Sequence, residues 1–599
     1  MSEGDQERPS TATRAELAAG REAACLRILA AGREAAGLRI LAAGRWQALA
    51  PGSRHGLVGL GIALLAIGVQ LPLYDRGIVP MDEGHHASVA MWLRHGKLLY
   101  RDLHTGIFPG IYHATAWLLG LFGDDLVVTR WAQLFTNVAM ALLLWRTGLR
   151  AMRPGWALAA PLLYLALVPM SFPVLAMFNY SNLAVCLALG ALLFLLRFRE
   201  EARTGDALAL GALIAACTLT KQNFGALVFL ACLFGLLWGR RDSGLGERPL
   251  VGSLIPIAAS GAGVALLVLL YFVATGTLGD FLYSTVIKLG GDQLESYNNP
   301  LPPVLGPHPL NDSRFIFLYT PPGLFNTMLH GERFLGLPVT AAVHSAAIRL
   351  SYGIPMAALL AAPWLLWLTR DLADALTRRA GVIIAVFAFV FSLGIFPSAI
   401  WSHLAFVMPP LLLLLGLVGD RLDRALGRRL PAAARGWRGL AAVTVAVASL
   451  VGVQHASKVA RWNPTPLGLP RASLRVSPAQ AEIYQSAMRF IDRCASPGEP
   501  IFVAPAMPIL YFLSDRMNPT RYDLTIPGDV SGELIIEGLE QSQTRCIVYD
   551  PLMYPEFPPF EALFPEVARY VQSHYGRAAV IRGGDSRWLG LMRKSQGEP

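Results

Sequence analysis

Repeated long apolar runs constrain this chain more than any other feature. Most of these runs have about 18–25 residues, the length that a helix needs to cross the hydrocarbon core of a bilayer. Of the 599 residues, 54% are hydrophobic and only 15% are charged, whereas soluble domains carry about 25% charged residues. Because one soluble core cannot hold so much apolar surface, the sequence predicts a polytopic α-helical membrane protein.

The apolar runs predict about eleven spanning helices, with boundaries good to a few residues. The candidates are residues 57–74, 126–148, 155–175, 179–198, 206–219, 222–239, 250–275, 347–368, 379–396, 402–419 and 437–455. The first run is long enough to span, so no cleavable signal peptide is predicted.

Arginine residues fall in every second connection between these runs. With a cytoplasmic N-terminus, the inside connections hold Arg146, Arg150, Arg153, Arg197, Arg199, Arg203, Arg240, Arg241, Arg248, Arg370, Arg378, Arg379, Arg421, Arg424, Arg428, Arg429, Arg435 and Arg438. The outside connections near 169–179 and 397–401 contain no Lys or Arg. Cytoplasmic loops carry the positive charge in membrane proteins. The net charge of +10 is therefore explained by orientation, and nucleic acid is not an expected partner.

Three regions follow from this orientation. Residues 1–56 are predicted to be a basic, low-complexity cytoplasmic extension, and residues 57–455 a transmembrane module with outer connections at 75–125 and 276–346. Residues 456–599 are predicted to be an extracytoplasmic α/β domain. The extension repeats LAAGREAACLRI as LAAGREAAGLRI, a period that rotates a helix by about 120° per repeat and keeps no constant apolar face.

The C-terminal domain has a clear alternation of elements. Helices are predicted at 478–494, 533–542 and 561–575, and strands at 500–504, 545–550, 578–582 and 587–592. It contains no glycine-rich phosphate loop, which favours a docking or lid role without catalysis. Cys494 and Cys546 lie in this domain and could pair, but the sequence leaves the pairing open.

The outer connection 75–125 opens with Pro80-Met81-Asp82-Glu83-Gly84-His85-His86. A carboxylate beside a low-dielectric membrane has a tunable proton affinity and can serve as a general base. Asp82 and Glu83 are therefore catalytic candidates. The alternative is a solvated loop whose acids favour the start of a helix.

His85 and His86 raise the possibility of a divalent metal. His86 could share a helical face with Asp82, four residues earlier, or with Glu83, three residues earlier, and Asp102 or His104 could complete a ligand set. The spacing is loose and no HExxH pattern occurs. Histidines hydrogen-bonded to their neighbours are the alternative, and Asp102 could instead form a surface ion pair with Arg101.

Lys221 stands at an outer junction between two apolar runs, in Leu219-Thr220-Lys221-Gln222-Asn223. An ammonium at headgroup depth suits a lipid phosphate, and Gln222 adds polar character. His403, at another outer helix end, could donate to a phosphate or a sugar hydroxyl. The alternatives are a snorkelling lysine and an interfacial histidine with satisfied hydrogen bonds.

The order of these motifs resembles the GT-C membrane glycosyltransferases, which include aminoarabinose transferases and protein O-mannosyltransferases, and is most similar to their glycosyltransferase family 39/RgtA-D-like branch. The motifs are Pro80-Met81-Asp82-Glu83, Tyr100-Arg101-Asp102 before Pro109, Phe122-Gly123 before Arg130, Thr220-Lys221-Gln222, and Ser402-His403-Leu404 with Pro409. The likeness covers residues 57–455, and an outer α/β tail also suits this group.

The resemblance implies inverting transfer of a sugar from a polyprenyl-phosphate donor to a hydroxyl of a glycan, lipid or protein. The reaction would occur on the outer face of a bacterial inner membrane, among membrane lipids. Asp82 matches the position of the catalytic base, with Glu83 and Asp102 orienting acceptor or sugar. Lys221, with Gln222 and His403, would bind the departing phosphate.

Two other classes stay open from the sequence. A transporter or flippase of a lipid-linked or polar substrate would place ionisable residues near mid-membrane, whereas the predicted spans are nearly free of them. A non-enzymatic scaffold presenting the α/β tail would leave the placement of Asp82, Glu83 and Lys221 unexplained. Convergence of Asp82, Asp102, Lys221 and His403 on one cavity would favour the transferase.

Overall fold

The structure is a computed structural model that describes residues 51–239, 244–245, 249–288, 298–525, 530–551 and 559–594. The repeat of the predicted N-terminal extension lies outside the described residues. The chain divides into the units Met1–Gly61 and Ile62–Pro599. All residues of the candidate site belong to the second unit, which contains both the remaining apolar helices and the C-terminal sheet.

The described chain up to residue 462 is almost entirely helical. In order, its helices are α1 (Pro51–Gln70), α2 (Asp82–Arg94), α3 (Gly110–Phe122), α4 (Leu126–Gly148), α5 (Pro154–Ala157), α6 (Ala159–Met170), α7 (Tyr180–Glu201), α8 (Thr204–Thr220), α9 (Gln222–Leu237), α10 (Leu250–Ala274), α11 (Leu278–Leu282), α12 (Ser313–Tyr319), α13 (Pro322–Leu329), α14 (Ala341–Leu368), α15 (Ala375–Ser392), α16 (Trp401–Arg429) and α17 (Pro431–Trp462). A π-helical turn, Tyr283–Ile287, follows α11, and short 3₁₀ turns lie at Arg370–Leu372 and Leu393–Ile395.

Eight helices of the described chain are long and apolar enough to cross a membrane. They are α1, α4, α7, α10 and α14 to α17. The shorter apolar helices include α8, α9 and the continuous stretch Pro154–Met170. Together these elements account for every predicted span, and the multi-pass α-helical prediction is confirmed.

Polar residues at the helix starts explain several boundaries. The Asp125 carboxylate accepts the Val127 N–H at 2.9 Å and begins α4. Asn179 begins α7 in the same way, accepting the Asn182 N–H. These caps satisfy N–H groups that have no partner within the first helical turn. Lys221 has an extended backbone, so the chain breaks between α8 and α9 at that residue.

Two short helices, α2 and α3, lie in the connection between the first two spans. They pack against each other through Val89, Ile111 and Tyr112. The far side of α3 leaves Trp117, Leu121 and Phe122 exposed. An exposed apolar face on a short helix beside spanning helices is typical of an element lying in the membrane interface.

The described C-terminal residues form a small α/β region. After a two-stranded ribbon of β1 (Thr465–Pro466) and β2 (Arg475–Val476), a four-stranded sheet has the order β3-β4-β6-β5. Its strands are β3 (Ile501–Ala504), β4 (Cys546–Tyr549), β5 (Tyr575–Gly583) and β6 (Ser586–Arg593), and its helices are α18 (Pro478–Cys494), α19 (Ile509–Ser514), α20 (Gly532–Gln541), α21 (Phe560–Leu563) and α22 (Pro565–His574). Strands β3 and β4 are parallel, and the other pairs are antiparallel. Each predicted strand and helix overlaps an observed one.

Cys494 and Cys546 form a disulfide that joins the end of α18 to the start of β4. The sequence left this pairing open. In the apolar helices, Cys217 and Cys232 are buried and unpaired, as expected of packing residues, and Cys186 is partly exposed.

The C-terminal region packs directly on α2. A shared core includes Ala87 and Met91 of α2 together with Leu510 and Tyr511 of α19. Gly84 permits this approach, because a Cβ at that position would lie 2.3 Å from the backbone nitrogen of Ile509. The Ile509 N–H also donates to the Pro80 carbonyl at 3.2 Å. The motif around Asp82 is therefore held between the spanning helices and the C-terminal region.

Candidate active site

Asp82 is the first residue of α2 and is partly buried. Its carboxylate has no hydrogen-bond or ion-pair partner among the described residues, while His85 and Lys221 lie close enough to act on it electrostatically. Burial raises the pKa of Asp82, and the two neighbours oppose that effect. A carboxylate with free lone pairs and a raised pKa is suited to accept a proton.

Glu83 forms a buried ion pair with Arg130. Its carboxylate accepts two hydrogen bonds from Arg130, at 2.5 and 2.6 Å, and both side chains are buried. Arg130 also donates to the Gly77 carbonyl at 3.3 Å. A buried bidentate pair of this kind fixes geometry. The predicted contact of Glu83 with substrate does not fit this arrangement: Glu83 fastens the start of α2 to α4.

His85 is held at both ring nitrogens. Nδ1 lies 2.7 Å from Asp523 Oδ1 in the C-terminal region, and Nε2 lies 3.1 Å from the Tyr112 hydroxyl. That hydroxyl lies 2.6 Å from Thr105 Oγ1. His85 is therefore one member of a buried hydrogen-bonded array and has a fixed orientation beside Asp82.

His86 is buried, and neither of its ring nitrogens has a partner within the described residues. Its ring packs against Tyr112 and Tyr180, with centroids 5.6 and 5.3 Å away. Burial, aided by His85, holds its pKa well below the ordinary value. A neutral imidazole with two unmet hydrogen-bonding positions is available to a polar ligand group.

Lys221 is buried at the break between α8 and α9, and its Nζ donates to Ser181 Oγ at 2.8 Å. The same atom lies 4.0 Å from the centroid of Phe224, 5.2 Å from that of Tyr180 and 5.7 Å from that of Phe406. Burial lowers the pKa of Lys221 to about 7. An ammonium has three donors, so N–H positions remain for an anionic ligand.

His403 lies at the first turn of α16 and within electrostatic range of Lys221. Its Nδ1 is 2.5 Å from the Ser398 carbonyl and therefore carries the hydrogen, which leaves Nε2 as the second position. Gln222 has a different task. Its Nε2 donates to the Gly106 carbonyl at 2.8 Å and its Oε1 accepts the Phe108 N–H at 3.4 Å. Gln222 thus holds the loop before α3 through both its amide oxygen and its amide nitrogen.

Asp102 does not join this group. It accepts the Leu98 N–H at 2.8 Å and the Arg101 guanidinium at 3.0 Å, and Arg101 is exposed. The alternative of a surface ion pair describes it best. Lys221 acts electrostatically on both Asp82 and His403, while Asp102 lies in a separate surface contact.

The side chains suggested as metal ligands can be compared with the ligand set that a divalent metal needs. Among the described residues, no set of three His, Cys, Asp or Glu side chains is placed to hold a metal ion. Both nitrogens of His85 are occupied by Asp523 and Tyr112, and Glu83 is paired with Arg130. Within the described part of the chain, these donors do not form a ligand set for a divalent metal, and no chemical step is assigned to one.

The outer connection 276–346 is described only in part. Asp292, Glu295 and Tyr297, noted in its sequence, lie outside the described residues. Further along, the Asn299 amide donates to Ser398 Oγ at 2.9 Å and the Ala399 N–H donates to the Asn299 carbonyl. This loop therefore reaches the chain just before His403.

Several site residues were missed by sequence reasoning. They are Tyr112, Arg130, Tyr180, Ser181 and Asp523. Of these, only Arg130 could be noticed in the sequence. It is a charge near the start of the apolar run 126–148 and follows the motif Phe122-Gly123. Asp523 lies 438 residues from its partner His85, a distance over which periodicity and local motifs give no information.

Sequence comparison gives one partial match. The family model described as dolichyl-phosphate-mannose-protein mannosyltransferase matches residues 108–272, which is less than half of the chain. That range contains Tyr112, Arg130 and Lys221 but neither Asp82 nor His403. No curated protein matches the chain by sequence.

Solved structures match much more of the chain. ArnT from Cupriavidus metallidurans, in the apo state, is similar with a TM-score of 0.51 at 15% identity, over 92% of this chain and 100% of that one. The oligosaccharyltransferase of Archaeoglobus fulgidus, in complex with Zn and sulfate, is similar with a TM-score of 0.50 at 13% identity, over 90% of this chain and 74% of that one. The predicted likeness to the GT-C membrane glycosyltransferases is thus confirmed at the level of the fold.

Proposed function

We propose that this protein is a membrane glycosyltransferase that moves a sugar from a polyprenyl-phosphate donor to a hydroxyl of a glycan, lipid or protein. The observation that carries the proposal is that Asp82 and Lys221 lie near enough to act on each other. An unpartnered carboxylate and a buried ammonium act on each other electrostatically. Inverting sugar transfer from a lipid phosphate is assisted by a base near the attacking oxygen and a cation near the departing phosphate, on opposite faces of the anomeric carbon.

Asp82 is the base in this proposal. The acceptor oxygen attacks the anomeric carbon as its proton passes to the Asp82 carboxylate. The bond between that carbon and the phosphate oxygen breaks, and its electron pair leaves with the polyprenyl phosphate. Attack opposite to the leaving group inverts the configuration at the anomeric carbon.

Lys221 stabilises the departing phosphate, whose negative charge grows in the transition state. The surrounding rings of Tyr180, Phe224 and Phe406 exclude water, which strengthens the attraction between ammonium and phosphate. His403 Nε2 offers a second polar contact. A donor whose lipid tail stays in the bilayer can bring its phosphate to this site without a nucleotide-binding domain.

The reaction is assigned to the outer face of a bacterial inner membrane, with the N-terminus in the cytoplasm and the C-terminus outside. Two independent features support this sidedness. Arginine residues concentrate in the connections on the opposite side of the membrane from the Asp82 motif. The Cys494–Cys546 disulfide is typical of proteins in oxidising, extracytoplasmic compartments.

Purified protein in lipid nanodiscs, supplied with a panel of polyprenyl-phosphate sugars and candidate acceptors, tests the function directly. Mass spectrometry should detect an acceptor that has gained one sugar, together with free polyprenyl phosphate. Lipid movement without a new glycosidic product would support the transporter or flippase alternative and contradict the proposal.

The Asp82→Asn variant isolates the base, because Asn keeps the size of Asp but cannot take the proton. We expect transfer to fall by about 10²–10⁴-fold, the usual contribution of a general base, while the melting temperature is unchanged. Asp102→Asn is the matched control and should retain activity. Wild-type turnover in Asp82→Asn would contradict the assignment.

Lys221→Ala should act mainly on the donor. We expect a higher KM for the polyprenyl-phosphate sugar and a lower kcat, because the phosphate loses its ammonium both on binding and in the transition state. The KM for the acceptor should stay the same. An unchanged dependence on donor concentration would remove Lys221 from the phosphate site.

A further inference from the structure

The C-terminal region contributes a charged side chain to the candidate site. Asp523 Oδ1 lies 2.7 Å from His85 Nδ1, and both side chains are largely buried. The contact joins a loop of the α/β region to α2, five residues before Ala90 in the core that α2 shares with α19. The sequence predicted a docking or lid role for this region, and docking alone does not require a buried carboxylate on an imidazole.

The hydrogen-bonded array fixes the orientation of the His85 ring and places a hydrogen on Nδ1. An ionised carboxylate can only accept, so His85 Nδ1 carries the hydrogen that points at Asp523. At the other nitrogen, the Tyr112 hydroxyl can either donate or accept, since it also contacts Thr105 Oγ1. The array therefore accommodates both the neutral and the protonated imidazole without moving the ring. When the imidazole is protonated, the contact with Asp523 is an ion pair.

His85 is the link between Asp523 and the base. It lies one helical turn from Asp82 and acts on it electrostatically. The titratable groups that face this pair are His86 on α2, Tyr112 on α3, Lys221 at the break between α8 and α9, and Asp523. Of the groups that act on Asp82, His85 and Lys221 both favour its ionised form.

We propose that Asp523 is a positioning residue for sugar transfer: by anchoring His85 it keeps Asp82 ionised and aligned, so the C-terminal region is part of the catalytic machinery. This inference rests on the proposed function, since it assigns a role to Asp523 in the reaction of Asp82. Asp523 itself touches His85 and is not assigned a contact with substrate.

The Asp523→Asn variant of the full-length protein tests the charge without removing the anchor. The amide oxygen can still accept the His85 hydrogen bond, but the negative charge is lost. We expect the acidic limb of the kcat profile to move to higher pH by about one unit, which is a tenfold loss of rate below that limb. The KM for the donor should not change, because Lys221 is untouched.

Arg521→Gln is the matched control at the same junction. Arg521 donates to the Tyr100 carbonyl at 3.1 Å and to the Tyr522 hydroxyl at 2.9 Å, so it serves docking and not the array around His85. The acidic limb of the kcat profile of Arg521→Gln should lie at the same pH as that of the wild type. An unmoved limb in Asp523→Asn, or an equal shift in Arg521→Gln, would overturn the proposal.

A second measurement does not need activity. Melting temperatures of Asp523→Ala, which removes the hydrogen-bond acceptor, His85→Gln and the double variant form a cycle that isolates the coupling of the two side chains. Non-additive losses support the anchoring, and additive losses overturn it. If the wild type transfers no sugar from any donor, the proposed function fails, and this cycle still decides whether Asp523 anchors His85.

Discussion

At the scale of single residues, the site contains an acid and a base whose proton affinities have moved toward each other. Burial raises the pKa of Asp82 and lowers that of Lys221 to about 7. Each side chain opposes the change in the other, because their charges have opposite sign. We therefore expect the protonation of both side chains to change when an anionic donor binds and places a new charge beside the ammonium.

A bell-shaped pH dependence follows for transfer. Activity needs Asp82 ionised, so the rate falls as pH drops through its raised pKa. It also needs Lys221 protonated, so kcat/KM for the donor should fall as pH rises through about 7. A bound phosphate favours protonated Lys221, and the basic limb of kcat should lie at higher pH than that of kcat/KM.

Steady-state rates across the pH range check this expectation. Lys221→Arg is the control, because a guanidinium stays protonated throughout, and its profile should lack the basic limb whatever its absolute rate. A wild-type kcat/KM that stays flat above neutral pH would contradict the role of Lys221.

His86 offers a second test at this scale. Replacing it by Phe keeps an aromatic ring and removes two buried nitrogens without partners in the described structure, each of which costs about 1–3 kcal/mol when unsatisfied. We expect His86→Phe to melt at the same or a higher temperature than the wild type, yet to transfer sugar more slowly. Calorimetry or a thermal-shift assay and the transfer assay measure the two effects.

His455→Phe is the matched control for that substitution. His455 is equally buried, and both of its nitrogens also lack partners among the described residues, but it lies on α17 near Trp462. It should gain stability without losing activity. If His86→Phe kept full activity, the unmet hydrogen-bonding positions of His86 would have no part in substrate binding.

At the scale of elements, the close packing of α2 on α19 positions the Asp82 motif. The contact depends on Gly84, since any side chain there would strike the backbone of Ile509. The Glu83–Arg130 pair holds the opposite side of the same turn to α4. The start of α2 is thus fixed from two directions, and a shift of either neighbour moves Asp82.

Gly84→Ala should therefore separate α2 from the C-terminal region. A Cβ 2.3 Å from a backbone nitrogen forces the elements apart, and we expect a large loss of transfer and faster protease cleavage after residue 462. Gly120→Ala is the control, because its Cβ would meet Arg94 Nε at an ordinary 3.6 Å. Equal protease resistance in both variants would show that α2 and the C-terminal region stay packed together despite the added methyl group at position 84.

The elements were predictable from sequence because their signals are local. An apolar run long enough to span is visible in one short stretch of sequence. The helix at 478–494 is predicted from Ser477, which caps it together with Gln480, and from Pro478 in its first turn. The contacts that complete the site are not local. His85 and Asp523 meet through the packing of a whole region, and Glu83 meets Arg130 only because α2 folds back on α4.

At the scale of the whole molecule, the chain must be threaded so that Asp82, Lys221 and the C-terminal region share one side of the membrane. Alkaline phosphatase fused after the last residue should be active, because that enzyme folds only in an oxidising compartment. The same reporter fused after Arg203, in a connection predicted to face the cytoplasm, should be inactive. The reverse pattern would place the site on the wrong leaflet for the proposed donor.

The disulfide gives an independent measure of the same arrangement. Replacing Cys494 and Cys546 by Ser should destabilise the C-terminal region by about 2–4 kcal/mol, seen as a lower melting temperature. Mass spectrometry of non-reduced peptides from membranes should recover the pair in wild-type protein. Finding both thiols free in freshly prepared membranes would contradict an extracytoplasmic location for this region.

The contact between His85 and Asp523 spans 438 residues of sequence, and this has a consequence for biosynthesis. Asp82, Glu83 and Arg130 emerge from the ribosome early and can meet once the first spans are inserted. Asp523, whose carboxylate contacts His85, is translated after the last apolar helix. A nascent chain whose spanning helices are complete would therefore still lack one side chain of the candidate site.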